Sequence, residues 1–201
     1  MFTIRVRKLA ATGFAAALVG GLALAVSPLS AEAATHTCNG YKATIVGTNG
    51  NDDIVGTSGR DVIVALGGHD EIEGRGGNDI ICAGSGNDEV EGGSGNDWID
   101  AGSGHDEVDG DSGNDVIRGG SGHDTLEGGS GKDTIYGGSG NDHIEGDSGN
   151  DKLYGQAGHD LVEGKSGKDK LSGGAGRDIL AQGSVSDRVE DRWEDRYGYD
   201  D

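Results

Sequence analysis

From residue 47 onward the apolar positions follow neither a helical period nor the alternation of an ordinary strand. A single aliphatic residue returns every ninth position, from Ile54, Ile63 and Ile72 through Val90, Ile117 and Leu126 to Leu171 and Leu180. Around it a nine-residue phrase is repeated fifteen times without a gap over residues 47–181. A representative copy reads Gly92-Gly93-Ser94-Gly95-Asn96-Asp97-Trp98-Ile99-Asp100. The fourth position is always Gly, from Gly50 to Gly176. The sixth is always Asp: Asp52, Asp61, Asp70, Asp79, Asp88, Asp97, Asp106, Asp115, Asp124, Asp133, Asp142, Asp151, Asp160, Asp169 and Asp178. Self-similarity at a fixed short period marks an architecture of stacked coils.

The phrase divides into six turn residues and three strand residues. Glycines at the first, second and fourth positions allow left-handed backbone angles and a tight turn that aims carbonyls inward. In the strand triplet the middle, aliphatic residue points in and its neighbours point out. One buried residue in nine is a thin core, short of what the lost chain entropy demands. Something besides apolar burial has to hold the coils together.

The Asp column both poses and answers that problem. Coils stacked in register put equivalent residues about 4.8 Å apart. Bare carboxylates at that spacing repel by roughly 1 kcal/mol per neighbouring pair even in water. A hard divalent cation between successive turns reverses the sign. Carboxylates with backbone carbonyls are the oxygen set that Ca²⁺ prefers, whereas Mg²⁺ demands stricter geometry and keeps its waters. No cysteine or histidine cluster of zinc-binding type is present.

On these residues the chain resembles the hemolysin-type, or RTX, calcium-binding nonapeptide family, whose motif is GGxGxDxUx. The resemblance implies an all-β protein, a right-handed parallel β-roll (a solenoid) with two sheets and 18 residues per coil. It also implies calcium bound between the turn of one repeat and the turn two repeats later, by both Asp side chains and by turn carbonyls. Carried over, all fifteen Asp residues are metal ligands, Asp52 with Asp70, Asp61 with Asp79 and onward, giving up to 13 sites, seven along one edge and six along the other. The chain departs from the motif at Ala65, Ala83 and Ala101 in the first position, and at Leu66, Arg75, Gln156 and Lys165 in the second. A side chain there disfavours φ > 0, so these turns are where occupancy is expected to suffer.

Glycine supplies 42 of 201 residues and proline one, a composition that reads as disordered without the period and as a solenoid with it. Residues 1–33 read as an export signal: Arg5, Arg7 and Lys8, an apolar run from Leu9 to Val26, and the small-residue box Ala31-Glu32-Ala33. A retained membrane anchor is the competing reading, opposed by Gly13, Gly20 and Gly21 and by the box. Export by the general secretory route in a bacterium, to a calcium-rich exterior, is the expectation. Without the leader the chain has 13 basic and 35 acidic residues, a net charge of −22 that repels nucleic acid and anionic membranes. Thirteen calcium ions would bring +26, about enough to neutralise it.

Residues 34–46 form an N-terminal capping segment in which Thr44-Ile45-Val46 reads as the strand that starts the stack. The chain has two cysteines, Cys38 here and Cys82 at the end of the fourth repeat. In an exported chain they are expected to pair as a disulfide, with two free thiols as the alternative. Cys82 ends its strand triplet and should face outward, tying the segment onto the surface of the roll. Residues 182–201 hold a decayed sixteenth copy, with Val185 in place of Gly, and a tail that is either a cap over the last coil or a frayed end.

Enzyme signatures are absent: neither HExxH nor GxSxG occurs, and Gly164-Lys165-Ser166 opens a repeat rather than closing a phosphate loop. His69, His105, His123 and His159 occupy the fifth position of odd repeats, either as polar turn residues or in a metal or pH role.

An 18-residue coil sends odd repeats to one sheet and even repeats to the other. The outward positions differ accordingly. Odd repeats carry Glu73, Glu91, Asp109, Glu127, Glu145 and Glu163 in the ninth position and Asp53, Glu71, Glu89 and Glu107 in the seventh. Even repeats carry Cys82, Asp100, Arg118, Tyr136 and Tyr154 in the ninth and Val62, Ile80, Trp98 and Val116 in the seventh. The expectation is an acidic wall opposite an apolar, aromatic ladder. The N-terminal segment can cover Val62 and Ile80, which leaves Trp98, Val116, Tyr136 and Tyr154 for a protein partner, a surface or a second copy. The sequence therefore points to a secreted, non-enzymatic protein that binds many calcium ions and folds on doing so. Two alternatives are a calcium-dependent adhesion or matrix module and an accessory to a separately encoded secreted enzyme.

Overall fold

Each strand triplet forms where its central aliphatic residue can be buried between two sheets. The computed structural model describes residues 36–181, Gly183 and two outlying strands, Val6–Lys8 and Arg188–Val189. The remainder of the leader, with its cleavage box, most of the decayed sixteenth repeat with Val185, and the tail from Asp191 lie outside the described residues.

The fold is all-β, a parallel roll of about eight coils. Odd repeats build one sheet, from Asp52–Val55 and Glu71–Glu73 to Leu161–Glu163 and Ile179–Ala181. Even repeats build the other, from Ile45–Val46 and Val62–Val64 through Trp98–Ser103 to Lys170–Ala175 and Arg188–Val189. Register is fixed at 18 residues, with Ile99 beside Ile117 and Val108 beside Leu126. Ile45–Val46 does start the stack, pairing in parallel with Ile63 and Val64, and Val6–Lys8 lies antiparallel against Asp52–Ile54 at one end of the odd sheet.

The two sheets are not equivalent, which the repeat alone did not announce. Most odd strands are three residues long, whereas from Ile80–Ser85 to Lys170–Ala175 the even strands run six residues into the following turn. A third ladder of Ser112–Gly113, Ser130–Gly131, Ser148–Gly149 and Ser166–Gly167 pairs the turns that open even repeats.

The core is as thin as the period implies. It is two facing columns of eighth-position residues, one from each sheet, spanning Ile54 to Leu171, with Ile45, Ala65, Ala83 and Ala101, each 0–1% exposed. A second apolar cluster lies outside the even sheet. Cys38 and Ala43 of the N-terminal segment cover Val62, Val64 and Ile80, with Leu66, Cys82 and Trp98 at the rim. The disulfide joins Cys38 to Cys82, with Cα atoms 5.9 Å apart, and pins a hairpin of Thr37–Cys38 and Tyr41–Lys42 over those side chains. Closing a loop of this length contributes about 4 kcal/mol on the chain-entropy model. Replacing both Cys38 and Cys82 with Ser is expected to remove about that much, read as a lower denaturation midpoint in calcium.

Trp98 thus sits half-buried at the edge of the covered patch, and the Arg118 guanidinium lies 5.4 Å from its ring centroid. Tyr136 and Tyr154 stack on one another at 5.1 Å and are half-buried as well. The even face is therefore less bare than its residue types suggested.

Candidate metal centre

The turns bring the Asp residues into two columns, one along each edge of the roll. From Asp52 to Asp169 every one is buried, at 1–5% exposure, and Asp178 is partly covered. From Asp70 onward, one carboxylate oxygen of each Asp ties its coil to the preceding one by accepting a backbone amide. The amide of Asp52 donates to Asp70 Oδ1 at 2.8 Å, that of Asp97 to Asp115 Oδ1 at 2.8 Å, and that of Asp160 to Asp178 Oδ1 at 3.0 Å.

The second oxygen accepts nothing. Oδ2 of Asp70, Asp79, Asp88, Asp97, Asp106, Asp115, Asp124, Asp133, Asp142, Asp151, Asp160, Asp169 and Asp178 is buried without a hydrogen-bond partner. That makes thirteen orphaned oxygens, seven in the odd column and six in the even one. Asp52 and Asp61, first in their columns, are satisfied differently. Thr48 donates to Asp52 Oδ2 from its amide at 2.6 Å and its hydroxyl at 3.0 Å, and Thr57 treats Asp61 Oδ2 alike, at 2.7 and 2.8 Å. These threonines close the columns at one end, so that Asp52 and Asp61 have less need of a cation than the rest.

A buried carboxylate oxygen without a partner costs several kcal/mol unless it is protonated or meets a cation. Burial pushes Asp70, Asp79, Asp97, Asp133 and Asp142 up to about 6, the hydrogen bond from the preceding coil opposing it. Asp106, Asp115 and Asp151 reach about 7, again chiefly through burial, with column neighbours adding repulsion. Carbonyls converge on the same space. A Cβ placed on Gly119 would meet Asp124 Oδ2 at 2.5 Å and Gly137 O at 2.7 Å, so the first-position glycine leaves a cradle walled by hard oxygens. Orphaned carboxylate oxygens with convergent carbonyls fit Ca²⁺. At Ala65, Ala83 and Ala101 a methyl group enters that cradle, yet Asp70, Asp88 and Asp106 keep their orphaned oxygens.

The backbone corrects one expectation and settles another. Positive φ occurs at the second and fourth positions, not at the first, where glycine is required by the close approach just described. The bulky second positions do not abandon the turn: Leu66, Arg75, Gln156 and Lys165 hold φ of 81°, 71°, 77° and 59°, and Asp111 and Asp147 do the same at 63° and 59°.

The fifth position carries a role that residue types alone did not reveal. In the odd column Asn51 Oδ1 accepts from the amide of His69, His69 Nδ1 from Asn87, Asn87 Oδ1 from His105, and His105 Nδ1 from His123. His123, Asn141 and His159 continue the ladder to Arg177. Asn and His are interchangeable because each offers an acceptor at the same distance from the backbone, and the histidines carry their proton on Nε2. The histidines thus serve as side-chain rungs of the turn ladder. The signal was present in the alternation of Asn with His at one position. Replacing His105 with Asn is expected to leave stability unchanged within about 0.5 kcal/mol, while His105→Leu strands the His123 amide and costs about 1 kcal/mol by calcium-state denaturation.

Elsewhere on the odd sheet, His143, Glu145 and Glu163 gather three potential metal-ligand atoms, but the Lys165 ammonium already bridges the two carboxylates at 3.1 and 2.8 Å. Among the described residues no helix is long and apolar enough to cross a membrane.

Comparison with curated proteins found no match. A family profile described as the RTX calcium-binding nonapeptide repeat (4 copies) matches residues 46–81, 83–117, 109–144, 118–153, 145–180 and 154–189. These matches cover well over half of the chain and take in all fifteen repeats of the roll. The chain belongs to the RTX calcium-binding nonapeptide repeat family.

Proposed function

We propose that this protein is exported through the general secretory route and binds up to 13 calcium ions between successive turns of the roll, folding as it does so. Its role is binding rather than catalysis. The observation that supports this best is the set of thirteen buried, partnerless Asp Oδ2 atoms, each beside a column neighbour one coil away. Each ion would be held by two Asp carboxylates 18 residues apart and by turn carbonyls, and would supply the positive charge that the column lacks. Unneutralised, the carboxylates of one column repel along its whole length and the thin apolar core has little to set against them. Ligands that exist only once the coils are stacked make metal affinity part of folding free energy. Affinities near those of extracellular calcium modules, about 10⁻⁴ to 10⁻³ M per site, suit such a role.

Native mass spectrometry of the protein recovered from a culture medium containing calcium tests export and binding together. The expected species begins within a residue or so of Ala34, has the mass of a disulfide-linked chain and carries about thirteen calcium ions. A chain that retains residues 1–33 would overturn the route. One that carries no calcium at millimolar concentrations would overturn the binding.

A further inference from the structure

The outer faces of the two sheets carry opposite charge, and each displays its charge at the spacing of the coils. On the odd face, Glu71, Glu89, Glu91 and Glu107 are exposed, flanked by Asp53, Glu73, Asp109 and Glu127. No basic side chain interrupts the seventh and ninth positions of these five coils. The even face is different. Beyond the patch covered by the N-terminal segment, its seventh and ninth positions hold Trp98, Val116, Thr134, Lys152 and Lys170, and Asp100, Arg118, Tyr136, Tyr154 and Ser172. One acid stands there against three bases, in a chain whose net charge is −20. Arg118 and Lys152 are exposed, and the Arg118 guanidinium rests 5.4 and 5.8 Å from the Trp98 and Tyr136 rings.

We propose that the even face between Asp100 and Ser172 docks onto the acidic odd face of a second copy of this chain. The geometry favours a second copy over other acidic partners because the two faces share one ruler. Coils are about 4.8 Å apart on both. Arg118 and Lys152 lie two even strands apart, in the ninth and seventh positions. Because odd strands run back against even ones, Glu71 and Asp109, two odd strands apart in the seventh and ninth positions, show the same offset. The Tyr136 and Tyr154 hydroxyls can donate to carboxylates of the intervening coils. The basic patch lies toward the C-terminal end of the roll and the acidic one toward the N-terminal end, so the copies meet staggered along their length. Different surfaces of the two copies are used, and such an interface leaves one of each free and extends into open assemblies. Charge complementarity of this kind governs specificity and salt dependence more than raw affinity.

The proposal rests on the calcium-folded state, so every sample is checked for its calcium-induced β signal by circular dichroism. Exported protein in calcium is examined by sedimentation velocity over a concentration series. Wild type is expected to form species larger than monomer in about 0.05 M salt and to dissociate in about 0.5 M salt. The variant Arg118→Glu with Lys152→Glu, and separately the variant Glu71→Lys with Glu89→Lys and Glu107→Lys, should each fold in calcium and stay monomeric. Mixed, they should assemble in alternation, because the wild-type acidic face of the first suits the wild-type even face of the second and the two reversed faces suit each other. Wild type that stays monomeric while folded, association that survives both charge reversals, or a folded monomer retained on an anionic polysaccharide matrix would each overturn the proposal. Absence of the β signal in calcium would instead count against calcium-coupled folding.

Discussion

In chelator at pH 8 the chain is expected to lose most of its β signal and to expand, and calcium at millimolar concentration should restore both. The reason is quantitative. Folding stacks fifteen carboxylates into two columns and leaves thirteen of their oxygens with neither a proton nor a donor. The opposing gain is one aliphatic side chain per nine residues, about 1.5–3 kcal/mol each, against backbone ordering of about 1–2 kcal/mol per residue. The sign of the pH effect follows from the same carboxyls. In the calcium-free roll burial raises Asp70, Asp79, Asp97, Asp133 and Asp142 to about 6 and Asp106, Asp115 and Asp151 to about 7, while in the unfolded chain they titrate near 4. A raised carboxyl stabilises the fold below its unfolded value, and that contribution is lost as pH rises through the folded one. Chelated protein should therefore recover β structure between pH 8 and about pH 4. With calcium present the dependence inverts, because the metal displaces the protons: the calcium concentration at half-folding should rise as pH falls from 8 to 6. Circular dichroism across pH in chelator and in calcium reads both. An apo chain with full β signal at pH 8 would refute the mechanism.

The second large effect is expected at the fourth position of the turn. A Cβ on Gly113 would fall on the carbonyl oxygen of Gly95, and the residue sits at φ 148°. No rotamer relieves a clash between a Cβ and a backbone carbonyl, so Gly113→Ala must push two coils apart in the middle of the stack. A cost of about 3 kcal/mol or more is expected, with a marked loss of calcium cooperativity. The internal control is the second position. Gly129 lies in a column with Asp111, Asp147 and Lys165, all at positive φ. A Cβ on Gly129 would also press on the Asp111 carbonyl, but Asp111, Asp147 and Lys165 carry side chains at the same place in neighbouring coils, so Gly129→Asp is expected to cost less than Gly113→Ala. Equal calcium-dependent unfolding midpoints for the two variants would show that coil contact does not set the invariance of the fourth glycine.

Much of this was legible in the sequence, because a strict period converts residue identity into position. The aliphatic positions and the place of every Asp follow from counting in nines, while the 18-residue register and the two sheets came from the family resemblance, supported by the odd–even difference in outward residues. The pairing of Cys38 with Cys82 and the cover over Val62 and Ile80 followed from chemistry and outward position. What could not be read depends on small geometric differences between chemically similar groups. Nothing in the composition of Thr48 and Thr57 says that their amides and hydroxyls close the Asp columns, since threonine there looks like one more departure from glycine. The fifth-position ladder is hidden because Asn and His seem unrelated until their acceptor atoms are placed on one backbone. The first-position glycines read as left-handed turn residues, whereas their need is space beside an Asp oxygen. The longer even strands arise from turn-to-turn pairing, a property of two coils together rather than of one repeat.

The coupling of calcium to folding is tested most directly by one titration read in two ways. Calcium is added to chelated, disulfide-linked protein while small-angle X-ray scattering follows its dimensions and equilibrium dialysis counts bound ions. Compaction and binding should rise together on one steep curve and reach a plateau near thirteen ions per chain. A chain already compact before the first ion binds, or one that saturates at two or three ions while fully folded, would contradict it.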